Sequence, residues 1–237
     1  MSTLYQSLAI ILPVSGAIGF ILLMVILYRG QICAGQRSRL SQQFATLWSL
    51  TTLGALSAIA DHQFQQLSTY LILLSVIVGW SLSIKQFRLA GKRSLTEHYW
   101  WIAGTPLILA SLFILYHWPA ISLIGLLSGS ALTHWLLVRG GHRLHAFDRI
   151  LPMIGIIILA LFVCLHAFQI WHYGHQPLLP QLTTIFIQMV SFALAGLFIW
   201  LLPLFRSMQP TAGQLAATNL CLVIAAVITT RLLYLLG

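Results

Sequence analysis

The sequence predicts an all-α, polytopic integral membrane protein: a helix bundle with eight transmembrane helices and both termini on the non-cytoplasmic side. Three observations carry that reading. Of 237 residues, 59% are hydrophobic and only 6% charged, with a mean hydropathy of +0.92, whereas a water-soluble domain carries about 25% charged residues to solvate its surface. Apolar runs of bilayer length follow one another along the chain, and the basic residues fall in alternate connections.

A helix needs roughly 20 apolar residues to cross the hydrocarbon core. Runs of about that length occupy 7–28, 44–60, 67–84, 99–116, 119–138, 150–171, 182–204 and 214–236. The first lacks a basic leader, is too long for the core of a signal peptide, and carries its small-residue stretch SGAIG too early for a cleavage site, so it is expected to be a true first helix. The second to eighth are joined by connections too short to hold a soluble catalytic domain, which makes 1–237 a single transmembrane domain. No internal repeat is evident. Pro13, Pro106, Pro152 and Pro203 fall in or beside these runs, where neighbouring helices re-satisfy the backbone groups that proline frees. GLLSG, from Gly125 to Gly129, matches the small-xxx-small pattern of close helix packing. Cys33, Cys164 and Cys221 form no C-x-x-C pair; they signal neither a metal site nor a disulfide framework and are expected as small apolar fillers.

The net charge of +9 is distributed by topology. Arg29, Arg37 and Arg39 follow the first run; Lys85, Arg88, Lys92 and Arg93 the third; Arg139, Arg143 and Arg149 the fifth; Arg206 the seventh. Eleven of the 12 basic residues thus sit in alternate connections, which the positive-inside rule assigns to the cytoplasm. The exception is Arg231, in the last run. The acids are Asp61, Glu97 and Asp148. Glu97 and Asp148 lie among basic residues and are expected to neutralise neighbours such as Arg93 and Arg149. Asp61 has no such neighbour.

The side opposite the basic connections collects Asp61 and His62 after the second run, His117 after the fourth, His166 near the end of the sixth, then His172 and His175, and Arg231. His117, beside Trp118 and Pro119, reads as an interfacial turn, and His172 and His175 read as solvated. Asp61, His62, His166 and Arg231 are the stronger candidates, because ionisable groups within a membrane mark function by default. A b-type haem needs two histidines at matched depth. His134 lies near the basic end of its run and His166 near the opposite end, so they cannot share an iron; His62 with His166 has a matched side and stays open. No phosphate-binding loop, dinucleotide fingerprint or zinc-protease motif is present. Polar groups are too sparse along the runs for a conduction path. What remains is a one-sided site suited to a ligand that arrives from the lipid.

This layout resembles the membrane anchor subunit of dimethyl sulfoxide reductase-type enzymes, the DmsC type. The resemblance rests on eight helices with both ends out, a second helix ending near SAIADH, the segment HAFDRILPMIGIIILALFV opening the sixth, the turn LPLFRSMQPTAGQL, and Arg-x-x-Tyr, here Arg231 and Tyr234, near the end of the last. It implies a subunit of the bacterial inner membrane that oxidises menaquinol, without haem, and passes electrons to an iron–sulfur subunit serving a molybdopterin catalytic subunit. It further implies quinol binding by His62, Asp61, Arg231, His166 and Tyr234. The chemistry is compatible: each quinol hydroxyl needs an acceptor, and a histidine oriented by a carboxylate can take a proton near neutral pH. His62 is then the proton acceptor, Asp61 its partner, and Arg231 the electrostatic element. The chain departs from the family in three places: 71–84 holds no acid, Val227 stands where a glutamate is usual, and QFQQL replaces the Gly-x-Pro after the helix-2 histidine. The alternatives are a structural anchor or assembly factor without quinol chemistry and, from a third class, a small transporter.

Overall fold

The computed structural model describes residues 2–30, 32–61, 67–89, 94–141, 145–172, 179–206 and 208–236. These form α1 (Ser2–Arg29), α2 (Ala34–Gln42), α3 (Phe44–Ala60), α4 (Leu67–Arg88), α5 (Glu97–His117), α6 (Ile121–Arg139), α7 (His145–His172), α8 (Leu179–Phe205) and α9 (Ala212–Leu236). Seven of them, α1 and α4 to α9, are long and apolar enough to cross a membrane. The protein is a multi-pass integral membrane protein whose outward surface is apolar: Ile77 is 65% exposed, Ile157 62% and Leu220 62%, an arrangement that lipid solvates and water does not.

The remaining long helix, α3, has 17 residues, a rise of about 26 Å. It lies antiparallel on α1, with Gly54 on Pro13, Thr51 against Gly16 and Phe44 beside Phe20. The short α2 was not expected as a helix. It is polar, buries Leu40, and sends Arg37 to Glu97 and, at 3.3 Å, to the Leu27 carbonyl near the end of α1. A guanidinium there satisfies a carbonyl that the helix end leaves free and opposes the negative end of the helix dipole. Glu97 thus pairs with Arg37, 60 positions earlier, a partner the sequence did not suggest; Arg93, the neighbour it did suggest, lies outside the described residues.

The long helices close into two rings. In the first, α1 packs on α3, α3 on α4, α4 on α5 and α5 back on α1; in the second, α6, α7, α8 and α9 close in the same order. The rings join along α1 and α6, with α9 also touching α1. Along that seam Val14 meets Gly125 and Ile18 meets Gly129, so α1 and α6 run parallel. The GLLSG segment is the close-packing surface the sequence suggests, because a Cβ at Gly129 would stand 2.6 Å from Ile18. Hydroxyl pairs Ser15–Ser128 and Ser7–Thr230 stitch the same seam. The second pair places the start of α1 beside the end of α9, so both described ends of the chain share one face, the terminal face. Arg29, Lys85, Arg88, Arg139 and Arg206 close or follow helices at the opposite, basic face.

Polar groups inside the bundle are mostly satisfied along their own helices. Thr51 donates to Leu47 O at 3.0 Å, Thr133 to Gly129 O at 2.8 Å and Thr229 to Ala225 O at 2.8 Å, the local solution open to Ser and Thr in lipid. Ser111 crosses helices to Pro13 O at 3.2 Å. The cysteines depart from expectation: Cys33 and Cys164 are exposed and Cys221 is only half-buried.

Candidate functional site

The terminal end of the first ring is open. A pocket of about 540 Å³ lies between the first turns of α1 and α4 and the last turns of α3 and α5, within the range that takes a small-molecule ligand. Its walls are apolar, from Ile10, Ala58, Ile72 and Phe113, and its polar groups come from Gln6, Ser68, Thr69 and His117, with Trp118 beside them. His117 Nδ1 lies 2.9 Å from Phe113 O. A carbonyl can only accept, so Nδ1 carries the hydrogen and the neutral ring keeps Nε2 as an acceptor. Asp61 caps α3 one turn beyond Ala58 and is half-buried. An apolar cleft with an imidazole acceptor, hydroxyls and an amide suits an amphiphile whose polar ring or headgroup enters first.

The expected site residues fall in different sectors. Asp61 follows the pocket-lining Ala58 by one helical turn and is not itself among the lining residues. His62 lies outside the described residues, as does the side chain of Tyr234. His166 is fully buried on α7, in the second ring; its Nδ1 donates to Phe162 O at 2.8 Å, and its Nε2, like Gln169 Oε1 one turn on, has no hydrogen-bond partner among the described residues. Arg231 is exposed on α9, beside the buried Thr229 and Thr230. Since α3 packs chiefly on α1 and α4, and α7 on α6 and α8, Asp61 and His166 belong to separate rings. His117, read from the sequence as an interfacial turn, lines the pocket instead. Its signal was its position at the end of a helix that runs away from a basic connection; what no sequence pattern gave was that Gln6 and Ser68 line the same pocket.

A second polar constellation, not expected, sits in the second ring toward the basic face. The Trp200 indole donates to His134 Nδ1 at 2.8 Å, and His134 Nε2 lies 3.0 Å from Asp148 Oδ1. An indole N–H can only donate, so Nδ1 is the acceptor and Nε2 carries the hydrogen toward the carboxylate. The tautomer of a buried histidine is thus set from both sides. Asp148 meets His134 rather than serving Arg149 alone, as the sequence suggested. Gly155 on α7 makes room for the indole, since a Cβ there would lie 2.8 Å from Trp200. Both ring nitrogens are engaged, so this chain ties α6, α7 and α8 together and leaves the imidazole no free ligand atom. Among the described residues, no group of three or more His, Cys, Asp or Glu side chains could hold a metal ion.

The fold defines a multi-pass membrane protein, with a cleft of mixed apolar and polar lining at its terminal face. Residues 7–233 match the model of a family described as an integral membrane domain, and the chain belongs to that family. No curated protein and no solved structure is found similar to it.

Proposed function

We propose that the protein is a quinol-oxidising membrane anchor of the dimethyl sulfoxide reductase type, set in a bacterial inner membrane with eight crossings and with its terminal face outside the cytoplasm. The observation that carries this reading is the terminal-face pocket, where a proton-accepting imidazole, His117, meets apolar walls of ring-binding size. The sidedness rests on the basic residues gathered at the other face.

In this reading the menaquinol ring enters from the lipid between α4 and α5. One hydroxyl donates to His117 Nε2, and the other is served by Asp61 with its neighbour His62. Oxidation releases two protons, which leave through these groups to the terminal face. The two electrons pass to an iron–sulfur partner docked on that same face, which feeds a molybdopterin subunit. His166, Arg231 and Tyr234, expected at the quinol, lie on α7 and α9, helices of the second ring.

The test is cluster reduction in the purified complex. Menaquinol analogues are expected to reduce the partner's iron–sulfur clusters, and His117→Leu to slow reduction by about 100-fold, the lower range for loss of an acid–base group, with the complex intact. If no cluster-bearing partner purifies with the chain, the anchor role fails. If the complex assembles and quinol reduces nothing, a structural anchor is the correct reading, which the absence of any acid on α4 favours.

A further inference from the structure

We infer that the seam between the two rings is a binding site for an anionic phospholipid, with one acyl chain upright in a groove and the phosphate at the basic face. The groove, of about 330 Å³, is walled by α1, α3, α6 and α9. From Leu8 to Ser15 on α1 and on from Ser128 to Trp135 on α6 it follows two parallel helices that meet at the serine pair. At 1.5 Å per residue this is about 20 Å of depth, more than the ~15 Å of one leaflet's share of the hydrocarbon core.

Its chemistry selects a hydrocarbon chain. Ser15 and Ser128 bond to one another, and the Asn219 amide donates to Leu215 O at 2.7 Å. The serine hydroxyls and the Asn219 amide nitrogen are thus engaged within the protein, and the surface left to a ligand is mostly carbon, from residues such as Leu12, Leu53 and Leu220. Water gains no hydrogen bond there, and an acyl chain loses none.

The basic end selects the headgroup. Trp135 lines the groove, and the Arg139 guanidinium lies over its ring at 5.3 Å. Arg39, from α2, reaches the same corner: its Nη1 is 3.7 Å from where a Cβ on Gly141 would stand, and the Gln43 stem packs on Gly140. Both arginines are exposed, and neither is in an ion pair among the described residues. Two cations at the mouth of an apolar slot, one held on an indole at headgroup depth, match a phosphate tethered to a chain; basic pockets between membrane helices bind anionic headgroups in this way. The site is in a different sector from the terminal-face pocket and stands independently of the quinol reading.

The experiment is lipid titration of the full-length protein in detergent, followed by native mass spectrometry. Dioleoyl phosphatidylglycerol is expected to bind more tightly than dioleoyl phosphatidylcholine, and glycerol 1-phosphate, which has no chain, not to compete. Arg39→Gln with Arg139→Gln is expected to weaken phosphatidylglycerol by about 30-fold, roughly 5-fold for each arginine. Ala216→Phe and, separately, Leu220→Trp, both at exposed groove positions, are expected to weaken both lipids alike. A phosphatidylglycerol preference that survives the double arginine change overturns the headgroup assignment. Unchanged affinity in both groove variants, with helicity intact, overturns the chain assignment, and competition by glycerol 1-phosphate reduces the site to one for free anions.

Discussion

The two rings share a connection order and are filled in opposite ways. In the first, flat aromatic rings occupy space that glycines leave open. Phe20 sits where a Cβ on Gly104 would come within 2.0 Å, and Trp48 where one on Gly79 would come within 2.4 Å. Phe44 stacks on Trp100 at 4.4 Å, and Trp101 meets Phe20 edge-on. The indole N–H groups of Trp48 and Trp100 find no acceptor among the described residues. In the second ring the same device, Trp200 over Gly155, is joined to a polar chain through His134 to Asp148. Both rings are held by shape and by hydrogen bonds between helices, in the first those of Ser75 to Ala103 O and of Trp80 to Thr52; the first leaves a pocket at its terminal end, and the second links its bonds into one buried chain. An unpaired buried donor costs about 1–3 kcal/mol, a burden that the Trp48 and Trp100 wedges of the first ring carry and the Trp200 wedge, with its indole paired, does not.

Changes in packing and in pairing should therefore act differently on the two rings. The largest effect is expected from Gly104→Ala. Its methyl group collides with a ring already fixed by Phe44, Trp48 and Trp101, and overpacking of this kind costs about 1–3 kcal/mol or more. Thermal unfolding in micelles reads it, and wild-type stability in this variant would dismiss the aromatic wedge. Next is His134→Ala, which leaves the Trp200 donor without its acceptor and takes the imidazole from Asp148, at a cost of about 2–3 kcal/mol; Asp148→Asn, which keeps an acceptor oxygen, should lose less.

A paired test separates the rings directly. Trp200→Phe removes the donor from His134, whereas Trp48→Phe removes an indole N–H that has no acceptor. The first is expected to be the more destabilising by about 1 kcal/mol, and equal losses would mean that the polar chain contributes nothing. Smaller still is the seam: Ser15→Ala with Ser128→Ala should cost about 0.6 kcal/mol, the average for interhelical hydrogen bonds in membranes. Gly213→Ala, where an added Cβ meets nothing within 4 Å, should stay within about 0.5 kcal/mol of wild type and serves as the control in the same unfolding assay.

The site was legible in part. Asp61 could be singled out because an acid with no basic neighbour in sequence is conspicuous in so apolar a chain, and it caps α3 one turn beyond Ala58, which lines the terminal-face pocket. His117 carried the same kind of signal and was read as a turn, because adjacent Trp118 and Pro119 explain it locally. The Trp200–His134–Asp148 chain was not legible at all. His134 and Trp200 are 66 positions apart, and a buried tryptophan in an apolar run has no mark that distinguishes a paired indole from an unpaired one.

The sequence by itself determined where the long apolar helices are, though not the polar α2, and which connections are basic, since apolar length and the placement of Lys and Arg are local properties of the chain. It could not say which side of each helix faces the interior. In lipid the outward face is as apolar as the inward one, so the periodicity that orients a helix in a soluble protein is weak here. Only the tertiary structure decided that α1 and α6 are the shared wall of two rings. It also divided Asp61 from His166, turned His117 into a pocket, and set Arg39 and Arg139 together at the mouth of a groove.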